Sequence, residues 1–245
     1  MKSLLMQSKA EILRILRNPY FVFWSLAMPI LFYFIFTRVL NGNMPNLEQW
    51  QAHYLMSMAA FSVMGTSVMT FGLRLVQERT QGWSTALRTT PLPGAAYAAA
   101  KMFAQMLLNL LCIVVIFVSG WLINGVHLSA AQWLASGLWI VLASLPFLAL
   151  GGLIGCMKKV DTANGISNVL YMGLAISGGL WMPFEIMPEA VQRIGKWLPS
   201  YNYGDGAWSI AAGGTPSATS IVLLLGYLVA FMVLSGYVRK KQEAV

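Results

Sequence analysis

A chain of 245 residues with a formal net charge of +8 contains 58% hydrophobic residues and only 10% Asp, Glu, Lys and Arg. Soluble domains contain roughly 45–50% apolar and about 25% charged residues, so this composition excludes an ordinary soluble domain and predicts a membrane protein. The two cysteines, Cys112 and Cys156, do not indicate a disulfide framework.

The first segment of the chain is predicted to lie along the membrane surface. In a helix over residues 2–17, one side carries Leu4, Leu5, Ile12, Ile15 and Leu16. Such a helix lies in the interface with its cations near anionic headgroups, and Asn18-Pro19 would end it. We therefore predict an interfacial helix at residues 1–18, with an ordinary basic flank as the alternative.

Six apolar stretches are each long enough to cross the bilayer, because about 20 apolar residues span the hydrocarbon. Each should be an α-helix, since lipid offers the backbone no hydrogen-bond partner. The predicted spans are residues 20–37, 52–76, 97–123, 133–156, 166–182 and 217–238.

Basic residues are concentrated on one side of this six-span arrangement. Of the 16 Lys and Arg residues, all but Arg38, Arg193 and Lys196 fall on that side. The positive-inside rule places this side and both termini in the cytoplasm, which predicts a multi-pass protein of the cell membrane. Topology thus accounts for the net charge, and nucleic acid is not an expected partner.

The connection predicted at residues 77–96 is the best candidate for contact with an energy source. Gly82 can break a helix that continues from the second span, and Thr90-Pro91 can stop a short helical piece that follows. Glu78 and Arg79 lie where the span leaves the membrane and could pair with each other, with lipid or with a partner. A rigid piece carried on two spans can transmit a push, whereas the alternative is a polar loop with a turn.

The predicted spans carry no Asp, Glu, Lys or Arg at depth, which argues against an ion-coupled transporter. Gln105 and Asn109 share one face of the third span, where they could line a translocation path or bond across helices. There is no G-x-x-x-x-G-K-[ST] phosphate loop, and His53 and His127 are too far apart in sequence for a metal signature. We therefore expect neither a catalytic centre nor a bound metal or other cofactor in this chain.

The segment at residues 183–216 combines prolines with aromatic residues that are typical of the membrane interface. We predict two short helices there, one at Glu189–Leu198 and one at residues 205–212. They would dip into the outer leaflet without crossing it. The alternative is an external amphipathic loop that lies on the membrane.

Three segments, in this order, resemble the membrane subunits of ABC exporters, the type-two permease family. The first is Leu16-Arg17-Asn18-Pro19 followed by Pro29-Ile30-Leu31. The second is similar to the family loop E-R-x-x-G-x-x-x-x-L-x-x-[ST]-P-[LV] at Glu78, Arg79, Gly82, Leu87, Thr90, Pro91 and Leu92. The third comprises Pro183, Pro188, Trp197 and Pro199. The resemblance covers essentially the whole chain.

The resemblance implies an all-α polytopic permease with six transmembrane helices and the N-terminal interfacial helix. It also implies that the second segment is a coupling helix between spans two and three, and that short re-entrant helices precede span six. Two permease subunits, as a homodimer or a heterodimer, would work with two copies of a separate cytosolic ABC ATPase that binds ATP and magnesium.

The expected substrate is a hydrophobic or amphiphilic molecule, such as a drug, a lipid or a lipid-linked molecule, because the spans offer an ionic solute no fixed charge. A non-transporting membrane scaffold, such as an immunity or assembly factor, is the alternative function. A membrane enzyme would need a buried catalytic group that the sequence does not reveal.

Overall fold

The computed structural model describes residues 13, 17–19, 23–40, 46–82 and 94–243. Within these ranges the chain is helical and contains no β-strand. The same ranges include four helices that are long and apolar enough to cross a membrane, namely Leu47–Thr80, Ala100–Asn124, Ala130–Ile154 and Ala218–Gln242. The prediction of an all-α membrane protein is therefore confirmed, whereas the count of six spans stays a prediction.

The first two helices of the described chain change helix type along their length. Helix α1 joins a π-helical turn at Phe23–Ala27, an α-helical stretch at Met28–Phe34 and a second π-helical turn at Ile35–Val39. Helix α2 joins Leu47–Gly65, a π-helical turn at Thr66–Thr70 and Phe71–Thr80.

The later helices are interrupted by short connections. They are α3 (Gly94–Asn124), α4 (Ala130–Leu142), α5 (Leu145–Ile154), α6 (Val160–Ser177), α7 (Glu189–Gly195), α8 (Pro199–Ala211) and α9 (Ala218–Glu243), with a 3₁₀ turn at Phe184–Ile186.

Each of the six predicted spans overlaps one or two of these helices. The second, third and sixth spans correspond to α2, α3 and α9, and α4 with α5 forms the fourth. The first and fifth correspond to α1 and α6, which are shorter or less apolar than the four long helices. The predicted interfacial helix at residues 1–18 lies almost wholly outside the described residues.

The fourth span is broken where a proline enters it. Pro146 has no N–H, and its ring would clash with the carbonyl group four residues earlier. Helix α4 consequently ends at Leu142 and α5 begins at Leu145, with Ala143 and Ser144 as the break. Pro29 stands at the start of the α-helical stretch of α1, directly after its first π-helical turn.

Helix α2 is the centre of the bundle and α9 lies at its edge. The most apolar window of α2 is 67% buried, against 11% for that of α9. Helix α2 packs against α1, α3, α4, α5, α6 and α8. Its 34 residues extend about 51 Å, which exceeds the roughly 30 Å of hydrocarbon, so its ends reach beyond the hydrophobic core.

Small residues allow α5 to approach α2 at backbone distance. A Cβ atom on Gly151 would lie 2.3 Å from the carbonyl oxygen of Ser67, and one on Gly155 would lie 2.8 Å from the Leu75 side chain. Small residues commonly let helices of membrane proteins approach this closely. Gly151 and Gly155 make this approach, whereas a Cβ atom on Gly152 meets no described atom within 4 Å.

The segment before α9 is more helical and more deeply packed than the sequence indicated. Its second helix, α8, begins at Pro199, so the predicted start at residue 205 is wrong. Pro199 occupies the first helical turn, where its fixed φ suits the helix and its missing N–H has no intrahelical role. Helix α8 packs against α2, α4, α6 and α9.

Candidate functional site

The inner end of the bundle, where α2 and α9 end and which is the predicted cytoplasmic side, holds a buried ion pair. The ammonium group of Lys101 on α3 donates to the Glu78 carboxylate on α2. Their side chains are only 6% and 9% exposed. Among the described residues, these two are the only charged side chains classed as buried. The pair therefore ties the inner ends of α2 and α3 without leaving net charge in the interior.

Arg79, the next residue along α2, connects two further helices. Its guanidinium donates to the carbonyl oxygen of Cys156, just past α5, at 3.0 Å, and to the Gln242 side chain on α9 at 3.1 Å. Gln242 also donates to the Cys156 carbonyl at 2.8 Å. This carbonyl lies near a helix C-terminus, where oxygen atoms lack intrahelical donors and attract cations. We call these contacts of Glu78 and Arg79 the inner-end links.

Gly82 gives the chain its direction as it leaves α2. Its φ of +73° lies in the left-handed region, which glycine adopts without steric cost. Its N–H donates to the Arg79 carbonyl at 3.2 Å, so the turn follows directly on the inner-end links. The other predicted coupling residues, Leu87, Thr90, Pro91 and Leu92, lie outside the described residues.

A second polar cluster lies deeper in the bundle around Asn109 of α3. The Asn109 side-chain oxygen accepts from Thr66 at 2.8 Å and from Gln105 at 3.0 Å. Its amide nitrogen donates to the hydroxyl groups of Ser67 at 3.1 Å and Ser144 at 3.4 Å. We call these five residues, all at most 2% exposed, the Asn109 cluster. Gln105 and Asn109 are both buried between helices. Their role in lining a translocation path stays a prediction.

The helix break at Ser144 is what fastens α8 to α4. The N–H of Ser144 donates to Val141 at 3.3 Å rather than to Ile140, whose carbonyl oxygen instead accepts from the Tyr203 hydroxyl group at 2.9 Å. In return, the Trp139 indole donates to the Tyr203 carbonyl at 2.9 Å. A Cβ atom on Gly206 would lie 2.2 Å from the Trp139 ring, so glycine is needed for this approach.

The residues predicted for the outer re-entrant segment differ in burial. Pro199 is buried at the start of α8, whereas Trp197 is 65% exposed and Pro188 is exposed just before α7. Pro183 is half-buried and precedes the 3₁₀ turn. Trp208 on α8 donates from its indole N–H to the Ser57 hydroxyl group of α2 at 2.8 Å.

Comparison with known proteins decides the family. The model of the family described as "ABC-2 type transporter" matches residues 3–211, which is most of the chain.

The chain belongs to the ABC-2 type transporter family.

Two relatives from Bacillus subtilis (strain 168) agree with this assignment. The protein named "Putative transport permease YvfS" is 58% identical over 239 residues, which cover 98% of this chain and 98% of that protein. The "Linearmycin resistance permease protein LnrN" is 29% identical over 130 residues, which cover 49% of this chain and 33% of that protein. This ABC-2 protein is thus a membrane-embedded transport subunit, and its family implies an ABC ATPase subunit as partner.

Several residues of this ABC-2 permease contribute to the sites although the sequence did not single them out. Lys101 counted only as a basic residue for topology, and Cys156, Gln242 and Ser144 had no predicted role. Their partners lie far away along the chain; Arg79 and Cys156, for example, are 77 positions apart. The one available signal was the spacing of Lys101, Gln105 and Asn109, which places all three on one helix face.

Proposed function

We propose that this permease exports a hydrophobic or amphiphilic substrate, such as a drug, a lipid or a lipid-linked molecule, across the cytoplasmic membrane. Two permease subunits work with two copies of a cytosolic ATPase, which bind the ATP and magnesium. Both termini and the connection at residues 77–96 face the cytoplasm. Six spans cross the membrane, and the segment at residues 183–216 enters the outer leaflet without crossing it.

The observation that supports this proposal is the set of inner-end links made by Glu78 and Arg79, at the start of the predicted coupling connection at residues 77–96. Through Glu78 and Arg79, the last turn of α2 bonds to α3, to the end of α5 and to α9. A displacement of the loop by an ATPase would therefore act on four helices together. A loop hinged on α2 alone would absorb the same displacement locally.

The distribution of charge supports an amphiphilic substrate. The buried ion pair stands at the inner end, and the buried polar side chains of the Asn109 cluster are uncharged amides and hydroxyl groups. A strongly ionic solute would lose its hydration there with little to offset the loss. The resistance function in the name of LnrN fits an export direction.

Reconstitution tests this function. The permease and its ATPase, co-purified and placed in liposomes, should show ATP hydrolysis that amphiphiles stimulate and hydrophilic solutes do not. Arg79→Ala should reduce the stimulation because it removes the contacts to Cys156 and Gln242. The matched control is Arg193→Ala, which removes an exposed cation at 3.3 Å from Glu189 in α7. Failure to bind an ATPase would favour the scaffold function, and stimulation by a small hydrophilic ion alone would contradict the amphiphilic substrate.

A further inference from the structure

Asn109 contacts two neighbouring helices at points where each departs from regular α-helical geometry. On α2, its partners Thr66 and Ser67 are the first two residues of the π-helical turn Thr66–Thr70. On the other side, its partner Ser144 lies in the break between α4 and α5. Single π-helical turns and breaks are places where helices change shape, and they are frequent at functional sites.

The Asn109 amide is saturated by these contacts. A carboxamide group has two N–H donors and one oxygen that can accept two bonds. Asn109 uses all four, toward Gln105 on its own helix and toward Thr66, Ser67 and Ser144 on the others. Of the cluster, it alone joins α3 to both irregular points.

Two of the three partner hydroxyl groups, those of Thr66 and Ser144, have carbonyl partners besides Asn109. Thr66 can donate to the Val63 carbonyl oxygen at 2.9 Å, and Ser144 donates to that of Val141 at 2.7 Å. Serine and threonine in a helix commonly bond to a carbonyl three or four residues earlier. The bonds that join Thr66 and Ser144 to Asn109 can therefore open and close without leaving these two hydroxyl groups unpaired in the interior.

Most of the Asn109 cluster lies on the same two helices, α2 and α3, as the Glu78–Lys101 ion pair of the inner-end links. Asn109 follows Lys101 by eight residues, or about 12 Å, along α3. Thr66 and Ser67 precede Glu78 on α2, and Gly151 in the second half of α5 lies against the Ser67 carbonyl. A movement that begins at the ion pair would thus reach the cluster through the same two helices.

We propose that Asn109 is a positioning residue of the transport cycle: it makes the π-helical turn of α2 and the α4–α5 break move together with α3. This inference rests on the proposed function. Without Asn109, the helices keep their own bonds but move independently, so ATP hydrolysis continues while less substrate crosses for each ATP.

The first test measures backbone hydrogen–deuterium exchange of the purified permease in lipid nanodiscs and needs no ATPase. Asn109→Leu should raise exchange at residues 66–70 and 143–148 by about fivefold or more, in the range typical of coupling between sites. The matched control is Ser119→Ala on the same helix, because within the described part of the chain the Ser119 hydroxyl group bonds only to Val115 of α3, at 2.8 Å. Exchange in Asn109→Leu equal to that of the wild type would overturn the proposal.

The second test measures how many molecules of a fluorescent amphiphile cross per ATP hydrolysed in liposomes that contain permease and ATPase. Asn109→Leu should lower this ratio by about fivefold or more while ATP hydrolysis persists. Increased exchange with an unchanged ratio would refute the positioning role in transport. If the wild type itself shows no ATP-driven transport, the proposed function fails, and the exchange experiment still reports on the link between the helices.

A double-mutant cycle covers the case in which Asn109→Leu does not fold. Ser67→Ala and Ser144→Ala each remove one contact of Asn109 on a different helix. If Asn109 joins the two points, the combined variant should differ from the sum of the single effects on the transport ratio. Strict additivity would count against the proposal.

Discussion

Lys101 and Glu78 form an ion pair that is buried between the inner ends of α3 and α2. Removing one member of such a pair leaves the other charge buried, which typically costs about 3–5 kcal/mol. We therefore expect Lys101→Met to lower the free energy of unfolding by about this amount. Replacing both residues, as in Glu78→Met with Lys101→Met, should recover most of the loss. Denaturation of the purified proteins in mixed micelles measures both, and equal stability of Lys101→Met and the wild type would contradict the expectation.

The left-handed conformation of Gly82 predicts a graded series of variants. Asparagine tolerates this conformation, so Gly82→Asn should preserve ATPase stimulation. A proline fixes φ near −65°, which is incompatible with +73°, so Gly82→Pro should redirect the chain after α2 and weaken the link with the ATPase. A Cβ atom at this position meets no atom of the described residues within 4 Å, so the permease should stay folded in each variant. Unchanged transport and stimulation in Gly82→Pro would refute the coupling role of this turn.

The approach of Gly206 to Trp139 makes α8 sensitive to a single methyl group. Gly206→Ala should shift α8 or the indole, cost about 1–3 kcal/mol in overpacking, and weaken the bond from Trp139 to Tyr203. Thermal unfolding and tryptophan fluorescence follow the two effects. Gly226→Ala on α9 is the control, because a Cβ atom there meets nothing within 4 Å and alanine favours a helix. Equal destabilisation by both substitutions would argue against the close contact.

Substitution of Gln105 can show whether this residue lines a translocation path or only belongs to the Asn109 cluster. Its side-chain oxygen is buried and has no hydrogen-bond partner among the described residues. Gln105→Leu removes this unsatisfied group, so the free energy of unfolding should stay the same or rise by about 1 kcal/mol. If Gln105 lined the path, the concentration of amphiphile that half-maximally stimulates the ATPase would change. We expect no such change, in contrast to the loss of transport per ATP in Asn109→Leu.

The predicted topology can be tested by single-cysteine labelling. The native cysteines, Cys112 and Cys156, are both buried and can be replaced by alanine to give a clean background. A membrane-impermeant maleimide should then label His127→Cys in intact cells, and Lys158→Cys only after the cells are permeabilised. Both native residues are exposed and stand at opposite ends of the bundle. Labelling in the reverse order would show that the orientation is wrong.

Composition and the spacing of apolar stretches were sufficient for the membrane class and for the approximate positions of the long helices. The bilayer makes two simple demands that act locally along the chain: about 20 apolar residues, and a backbone that satisfies its own hydrogen bonds. The basic bias of alternate connections likewise follows from residue order alone. The break before Pro146 is local too, since the proline removes a hydrogen bond within its own helix.

The partners of the candidate site residues depended on packing. Glu78 could have bonded to Arg79 beside it, yet it pairs with Lys101, and Arg79 turns to Cys156 and Gln242. Asn109 reaches hydroxyl groups 43, 42 and 35 residues away. Residue order says which side chains need a partner, because burying a polar group without one is costly. The tertiary packing decides which partner comes within bonding distance. Glycines such as Gly151 let α5 pack closely against α2, and this packing places these distant groups at the same depth in the bundle.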